Sequence, residues 1–274
     1  MIARRNFLLG AAALAGAGGI GYAHYYEPGW PEVTHQRIAF FNHTPSPLPF
    51  KILFLADLHY SRYVPLSLIA EAVELGLAQN PDLILLGGDY VLFDMPLNFS
   101  AFSDVLSPLA LHAPAFACFG NHDRKVGSTH NRAISQALSA AGIMTLFNQT
   151  TVIATQHQQF ELFGMGDLWC GQCNANAIPP RQDDHPPRVV LAHNPDCKDV
   201  LRDREWELML CGHTHGGQVH IPLLGEPFAP VKDKRYVAGL NAYGERQIYT
   251  TRGVGSLYGL RLNCRPEVTM LELV

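Results

Sequence analysis

Five short motifs in this chain combine the carboxylate, amide and imidazole side chains that bind transition metals in proteins. In chain order they are Asp57-Leu58-His59, Gly88-Asp89, Gly120-Asn121-His122-Asp123, His193-Asn194 and Gly212-His213-Thr214-His215. A single motif of this kind is weak evidence, but the last loop and the Gly-Asn-His-Asp loop are richer, because glycine permits a tight backbone turn beside the polar groups. The metal ligands that this set predicts are Asp57, His59, Asp89, Asn121, His193, His213 and His215.

Seven ligands exceed the needs of one ion, so the set predicts two metal ions, with Asp89 as the bridging ligand. Imidazole together with carboxylate favours Mn, Fe or Zn over Ca, which prefers all-oxygen cages. We expect two divalent or mixed-valence ions, with Mn or Fe preferred and Zn as the alternative. Such a pair, about 3.5–4 Å apart, would hold a water between the ions as hydroxide. Because a histidine must be neutral to bind metal, acidification is predicted to reduce metal occupancy and activity.

The elements that must position these motifs are short apolar runs, each of which ends where a motif begins. The runs lie at 51–56, 82–86, 115–119, 188–192 and 207–211, and their continuous Leu, Ile, Val and Phe content is typical of strands covered on both faces. Helices are predicted at 65–79 and 131–141. In an open α/β sheet, side chains collect beyond the carboxyl ends of the strands, so the five loops are predicted to converge.

Further short segments at 151–154, 159–163, 218–221, 247–251 and 267–273 read as strands with few helices near them, and they suggest a second sheet packed on the first. The chain of 274 residues therefore divides into an N-terminal segment (1–23), a lead-in (24–50) and one α/β catalytic domain (51–274).

The N-terminal segment resembles a twin-arginine export signal, because Arg4-Arg5 precedes an apolar stretch that runs to about Tyr22. It predicts export, with the domain on the periplasmic side, or retention as an uncleaved membrane anchor. The formal net charge of −4 and the lack of a Lys/Arg run argue against binding along a nucleic-acid backbone. A single small phosphorylated substrate remains compatible with this charge.

The ordered motifs resemble the calcineurin-like metallophosphoesterase superfamily, whose pattern is D-x-H, G-D, G-N-H-D/E, a lone His and G-H-x-H. Further stretches resemble a phosphodiesterase group within it: 54–59, 211–218 and Thr251-Arg252-Gly253-Val254-Gly255-Ser256. The resemblance implies a metallophosphoesterase-type sandwich of two β-sheets flanked by helices. It also implies that Asp57, His59, Asp89 and His215 bind one metal, and that Asp89, Asn121, His193 and His213 bind the other.

The resemblance further implies that His122 lies near the leaving oxygen, and that Asp123 orients His122 or tunes its pKa. The alternative for His122 is a loop histidine that is bonded to Asp123 and has no chemistry. Arg124 and Arg252 are candidate substrate contacts, because an Arg in a site loop can clamp phosphate. Arg62 is a candidate on the same ground, whereas His220 and Tyr258 are weaker candidates.

The leading prediction is a metal-dependent phosphodiesterase. One alternative is a pyrophosphohydrolase that acts on a lipid-linked nucleotide such as UDP-diacylglucosamine, and another is a non-catalytic interaction module on the same fold. A third alternative is a thiol oxidoreductase that uses Cys170-Gly171-Gln172-Cys173. Because the Cys-x-x-Cys spacing lies in a Gly/Asn/Pro-rich stretch and not at a helix start, a local disulfide or two free thiols are preferred there.

Overall fold

The computed structural model describes residues 18–41, 49–92, 95–123, 130–154, 159–180 and 185–274. Within these ranges, the strands are β1 Glu32–Ile38, β2 Phe50–Leu55, β3 Leu83–Leu86, β4 Ala115–Ala117, β5 Met144–Thr145, β6 Gln149–Ala154, β7 Gln159–Gly164, β8 Arg188–Leu191, β9 Leu208–Cys211, β10 Gly239–Tyr243, β11 Arg246–Thr250 and β12 Glu267–Leu273. The helices are α1 Leu66–Leu77, α2 Phe99–His112, α3 His130–Ala140 and α4 Cys197–Val200.

The strands form two six-stranded mixed sheets. The first sheet has the order β1-β12-β2-β3-β4-β5, and the second sheet has the order β10-β11-β9-β8-β7-β6. In the first sheet β2, β3, β4 and β5 run parallel, and in the second sheet β7, β8, β9 and β11 do. The predicted sandwich of two β-sheets flanked by helices is therefore confirmed, and this mixed α/β architecture has parallel strands at the centre of both sheets.

Successive side chains of a strand point to opposite faces of its sheet, and this alternation produces separate core layers. In β2, Ile52 and Phe54 enter the core between the sheets, whereas Leu53 and Leu55 enter the core beneath α1, α2 and α3. A third core lies on the far face of the second sheet and includes the buried Trp206. Loops and short helical turns cover this core. Both faces of the central strands are thus buried, which accounts for their uninterrupted apolar sequence.

The structure corrects the predicted distribution of strands between the sheets. The runs at 188–192 and 207–211 belong to the second sheet, and the segment at 267–273 is β12 of the first sheet. The segment 218–221 forms only isolated bridges, Val219 with Leu262 and Ile221 with Gly225. Residues of the predicted lead-in form β1, which pairs in parallel with β12 and so belongs to the folded domain.

Helix α2 was not predicted, although its sequence carries the physical signals of a helix. The Asn98 side chain accepts a hydrogen bond from the Ala101 amide, and Phe102, Leu106 and Leu109 are buried at helical spacing. Pro108 lies inside the helix and removes one backbone donor, which interrupts the usual pattern. The predicted helices at 65–79 and 131–141 correspond to α1 and α3. No helix among the described residues is long and apolar enough to cross a bilayer.

Candidate metal centre

Loops from both sheets meet where the parallel strands end. The loops after β2, β3 and β4 carry Asp57 and His59, Asp89, and Asn121 to Asp123, and the loops after β8 and β9 carry His193, and His213 and His215. Because the carboxyl ends of the central strands of both sheets lie at the same end of the sandwich, side chains that are distant in sequence converge there.

The first group of potential ligands consists of Asp57, His59 and His215, whose ligand atoms all lie within 4.8 Å of one another. The Nε2 atoms of His59 and His215 are 3.0 Å apart, and His215 Nε2 is 3.3 Å from Asp57 Oδ1. All three side chains are buried. The first sheet provides two members of this group, and the second sheet provides one.

The second group consists of Asp89, His193 and His213, again with all ligand atoms within 4.8 Å of one another. His193 Nε2 lies 3.1 Å from Asp89 Oδ2, and His213 Nδ1 lies 3.3 Å from His193 Nε2. Here the second sheet provides two members, and the first sheet provides only the carboxylate.

Asp89 links the two groups. Its Oδ2 atom is 3.1 Å from His193 Nε2 in the second group and 3.7 Å from His59 Nε2 in the first group. Its Oδ1 atom accepts a hydrogen bond of 2.8 Å from the His122 amide, which fixes the orientation of the carboxylate. The bridging role of Asp89 stays a prediction, and its position between the groups is compatible with that role.

The donor atoms fit a pair of cations. In each group, two imidazole nitrogens face each other beside a carboxylate, an arrangement that is repulsive unless a proton or a cation lies between them. The Nδ1 atom of His193 donates to the Gly87 carbonyl at 2.7 Å, which leaves the lone pair on Nε2 for a metal. The Asn121 side-chain oxygen is buried and accepts no hydrogen bond, which suits a further ligand.

The pKa values of the groups depend on one another. Burial raises the pKa of Asp57 and of Asp89, but attraction to His215 and to His193, respectively, outweighs burial, and both carboxyl pKa values are lowered. Burial lowers the pKa of His59 and of His213 to about 3, helped by repulsion from neighbouring histidines. Without metal, these two imidazoles are therefore neutral at neutral pH, while both carboxylates are charged.

His193 behaves in the opposite way to His59 and His213. Burial alone would lower its pKa, but attraction to Asp89 and a hydrogen bond with it raise the pKa to about 10. At neutral pH, the metal-free site therefore holds a proton on His193, next to Asp89. A metal ion that binds to Nε2 of His193 must displace this proton.

The backbone is strained at the site. Five of the predicted ligands have positive φ angles: Asp57 at 53°, His59 at 47°, Asp89 at 55°, His213 at 70° and His215 at 51°. A left-handed conformation is uncommon for residues with a side chain, and such strain clusters where function requires a particular geometry. The loops therefore use an unfavourable backbone conformation to direct these side chains inwards.

Glycines in the motifs make room for the carboxylates. A Cβ atom at Gly120 would collide with the carboxylate and the amide of Asp89, and one at Gly212 would collide with the Asp57 carboxylate. Gly253, from the 251–256 stretch, lies against the Asp57 side chain in the same way. These close approaches give a physical reason for the glycine in each motif.

His122 lines the cavity in front of the two groups, and its ring is edge-on to His59 with 5.0 Å between the ring centroids. The Asp123 carboxylate is fully buried and accepts backbone hydrogen bonds from Asp89, Tyr90 and Gly120. The described hydrogen bonds therefore do not show the direct action on His122 that was predicted. Asp123 positions the loops that carry Asp89 and Asn121.

The same environment sets the charge of Asp123. Burial and repulsion from Asp89 raise its pKa to about 8, although the hydrogen bonds from the Gly120 and Tyr90 amides act to lower it.

The predicted substrate contacts have different outcomes. Arg252 donates to Glu267 at 3.1 Å and to Glu32 at 2.8 Å, and it is not among the residues that line the cavity. This geometry gives it a structural role between β1 and β12. Arg124 lies outside the described residues. His220 bonds to Glu226 at 2.6 Å, whereas Tyr258 lines the cavity.

The cavity has a volume of about 250 Å³ and exposes residues that no motif indicated. Besides Asp89, Asn121, His122 and residues of the 211–218 stretch, it is lined by Trp169, Phe228, Pro230 and Leu257. The aromatic ring of Trp169 packs edge-on against His213, with 4.3 Å between the centroids. Sequence gave no signal for these contacts, because they come from irregular loops that are distant in the chain.

The Cys-x-x-Cys pair does not form a redox centre in the described contacts. Burial and the neighbouring Asp167 raise the pKa of Cys170 to about 12, whereas reactive thiols have lowered pKa values. Cys173 Sγ instead lies 3.5 Å from Cys197 Sγ, and all six cysteines are free thiols. This geometry disfavours the thiol oxidoreductase alternative.

Comparison with known proteins places these features in a family. The family model described as calcineurin-like phosphoesterase matches residues 50–217. The chain is 70% identical to phosphodiesterase YaeI of Escherichia coli strain K12, over 100% of both chains. It is 31% identical to the uncharacterized metallophosphoesterase YkuE of Bacillus subtilis strain 168, with 99% of this chain and 98% of YkuE covered. It is 20% identical to the UDP-2,3-diacylglucosamine pyrophosphatase LpxG of Chlamydia muridarum, with 81% and 83% covered.

Proposed function

The chain belongs to the calcineurin-like phosphoesterase family, and we propose that it is a metal-dependent phosphodiesterase, a phosphoric diester hydrolase. The observation that carries this proposal is the pair of Asp/His groups joined by Asp89 beside a cavity that His122 also lines. A complete set of ligands with a candidate proton donor argues against a non-catalytic interaction module.

The residues of the site divide the catalytic work. Asp57, His59, Asp89 and His215 would hold one cation, and Asp89, Asn121, His193 and His213 would hold the other. When bound, two cations draw negative charge from a phosphoryl group and lower the pKa of a water nucleophile. Asp89 and Asp57 offset the positive charge, and the hydrogen bond from His193 to Gly87 keeps its other nitrogen turned inwards.

His122 is placed to act on the leaving group. It lines the cavity beside Asp89 and stands edge-on to His59, so a phosphate ester in the cavity would lie within reach of its ring. As an imidazolium it would donate a hydrogen bond or a proton to the departing oxygen. The hydrogen bond from the His122 amide to Asp89 couples its position to that of the bridging carboxylate.

The ions that we propose are Mn or Fe, with Zn as the alternative. The donor set is imidazole, carboxylate and amide, and it contains no thiolate among the predicted ligands. Metal analysis of the purified protein, followed by removal of the metal with EDTA and reconstitution with each ion, tests this choice. Activity that returns with Ca alone would contradict it.

A lipid-linked pyrophosphate is the second candidate substrate. It is supported by the similarity to LpxG over four-fifths of the chain and by the exposed aromatic side chains at the cavity mouth. Hydrolysis of UDP-2,3-diacylglucosamine at a higher kcat/KM than simple diesters would favour this candidate.

We also propose export through the twin-arginine route, to the periplasmic side, with residues 1–23 either cleaved off or kept as a membrane anchor. The support is the sequence alone, Arg4-Arg5 followed by an apolar stretch. Replacement of both arginines by lysine should keep the protein in the cytoplasmic fraction, whereas unchanged fractionation would reject the proposal.

The decisive experiment compares hydrolysis of bis-p-nitrophenyl phosphate with that of p-nitrophenyl phosphate, in the wild type and in His122→Ala. The proposal expects metal-dependent turnover of the diester that exceeds turnover of the monoester and falls roughly a hundredfold or more in the variant. A protein that binds metal and hydrolyses only the monoester would overturn the diesterase assignment. A well-folded protein that binds no metal would overturn the whole proposal.

A further inference from the structure

The mouth of the cavity differs in character from its base. The base presents Asp89, Asn121 and His122, whereas Trp169, Phe228 and Tyr258 line the outer part and are 59%, 72% and 70% exposed. Large aromatic side chains are costly to leave in water, and a cluster of them beside a polar site is typical of ligand contact.

Each aromatic side chain is held by an ordered loop. The Trp169 turn is fixed by hydrogen bonds from the Cys170 amide to the Asp167 carboxylate at 2.7 Å and from the Gln172 amide to the Asp167 carbonyl at 2.8 Å. The Trp169 ring also packs against His213. This ring therefore stands over a predicted metal ligand and does not fill a core.

The other two side chains are held in a similar way. Phe228 precedes the buried Ala229, whose carbonyl accepts a hydrogen bond of 2.6 Å from Lys234 Nζ, so the loop is anchored while the phenyl ring faces outwards. Tyr258 has a φ angle of 59°, a strained conformation for a bulky residue, and it is nevertheless exposed. Such strain is retained where a side chain must be presented in a particular place.

The charged residues that line the cavity also favour an apolar ligand at its mouth. No lysine or arginine is found among the described residues that line it, and Asp89 is its one acidic residue there. An uncharged apolar arm would gain contact with the aromatic rings.

We infer that Trp169, Phe228 and Tyr258 form an aromatic rim that binds an apolar ester arm of the substrate while the phosphate group lies at the base. This inference rests on the proposed phosphodiesterase function and deepens it, because it names the class of the second ester group. The arm is an alkyl chain or an aromatic ring, which share the chemistry that the rim recognises.

The test uses four p-nitrophenyl phosphate diesters that share one leaving group and differ in the other ester arm. The arms are ethyl, hexyl, benzyl and a diether chain as long as hexyl. The inference expects kcat/KM for the hexyl or benzyl ester to exceed that for the ethyl ester by roughly tenfold or more, because the rim removes apolar surface from water. The increase in kcat/KM over the ethyl ester should be much smaller for the diether ester than for the hexyl ester of the same length. A higher kcat/KM for the hexyl ester would indicate a rim that binds a chain, and a higher value for the benzyl ester would indicate a rim that binds a ring.

Variants then test whether the aromatic rim causes the preference for the hexyl ester. Phe228→Ser and Trp169→Ala should each lower the hexyl-to-ethyl ratio of kcat/KM severalfold, and Phe228→Leu should restore most of it. Leu111→Ala, at an exposed apolar residue on α2, is the matched control and should leave the ratio unchanged. Metal content, measured in each variant, separates a change at the rim from a loss of ions beside Trp169.

The outcomes separate the inference from the function on which it rests. Equal kcat/KM for all four esters, or a hexyl preference that survives in both rim variants, would overturn the aromatic rim and leave the phosphodiesterase intact. No turnover of any ester by the metal-loaded protein would remove the proposed function and the rim with it.

Discussion

The two sheets contribute different chemistry to one centre. The first sheet supplies both carboxylates, the amide of Asn121 and one imidazole, whereas the second sheet supplies three imidazoles and no carboxylate. Each of the two groups nevertheless combines residues from both sheets. Neither sheet can bind a cation pair alone, so the site exists only when the core between the sheets is packed.

Each sheet also controls the charge of side chains that belong to the other sheet. Carboxylates from the first sheet keep the proton on His193 of the second sheet, and the histidines of the second sheet keep the carboxylates of the first sheet charged. The charges of the centre are therefore balanced across the junction between the sheets, and the Asp89 carboxylate lies 3.7 Å from His59 in one group and 3.1 Å from His193 in the other. Changes on the two sides should consequently have unequal effects.

The largest expected effect comes from Asp89→Asn, compared with His215→Asn from the second sheet. Loss of Asp89 weakens both cation sites, so metal content should fall from about two ions to below one, and kcat/KM should fall roughly a thousandfold or more. His215→Asn should retain about one ion. Elemental analysis and diester kinetics measure both effects, and circular dichroism verifies the fold. Equal metal loss in the two variants would contradict the unequal roles of the sheets.

Glycine substitutions should disturb the same groups indirectly. In Gly120→Ala the new methyl group strikes Asp89 and should reduce both ions, whereas in Gly212→Ala it strikes Asp57 and should reduce mainly the first group. We expect kcat/KM to fall roughly a hundredfold in Gly120→Ala, and less in Gly212→Ala. Gly29→Ala is the control, because nothing lies within 4 Å of its added Cβ. Wild-type metal content in Gly120→Ala would show that the loop relaxes without moving Asp89.

Proton release should reveal the charge balance between the sheets. The pKa of His193 is raised to about 10, so this residue is protonated through the neutral range and loses its proton when metal binds. His59 and His213, with pKa values of about 3, have no proton to release there. Each metal-binding event below pH 10 should therefore release about one proton. Metal affinity should rise about tenfold for each unit that the pH increases towards 10, and it should fall by the same factor for each unit of acidification.

Calorimetric titration of the metal-free protein with Mn²⁺, in buffers of different ionisation enthalpy, measures this release. His185→Gln, at a histidine outside both groups, should behave as the wild type does. Affinity that does not change between pH 6.5 and 8.5 would contradict the proton on His193.

The smallest expected effect concerns Arg252, which was predicted to contact substrate. Its guanidinium bonds to Glu32 and Glu267 and is about one-quarter exposed, so Arg252→Gln should lower the free energy of unfolding by about 1 kcal/mol, after allowance for solvent screening. KM for the diester should stay within about twofold of the wild-type value. Chemical denaturation and steady-state kinetics provide the two readouts. A large rise in KM without loss of stability would restore the substrate role.

The sequence predicted the convergence of the loops because buried parallel strands leave a clear signal: a continuous apolar run that stops at a polar motif. Membership of the metallophosphoesterase family and the two-sheet sandwich were confirmed. The assignment of β8 and β9 to the second sheet could not be predicted, because an apolar run does not reveal its partners. Helix α2 escaped prediction since Pro108 interrupts its pattern.

Side-chain partners were harder to predict than the motifs themselves. Asp123 directly follows His122 in sequence, which suggested contact, but the turn directs its carboxylate towards three backbone amides. Trp169 and Phe228 belong to loops without regular periodicity, and only the fold brings them to the cavity mouth. Local order in the sequence therefore predicted which residues converge on one site better than it predicted what surrounds them.

The positive φ angles at five ligands imply a conflict between selection for stability and selection for activity. Glycine adopts this backbone conformation without steric penalty, so substitution of Asp57, His59 or His213 by glycine would relieve strain worth roughly 1–2 kcal/mol per residue while removing the ligand. A library of variants sorted for thermal stability in the absence of metal should accumulate inactive proteins with glycine at these positions. Selection for catalysis would then have to retain Asp and His at these positions, at a continuing cost to the stability of the fold.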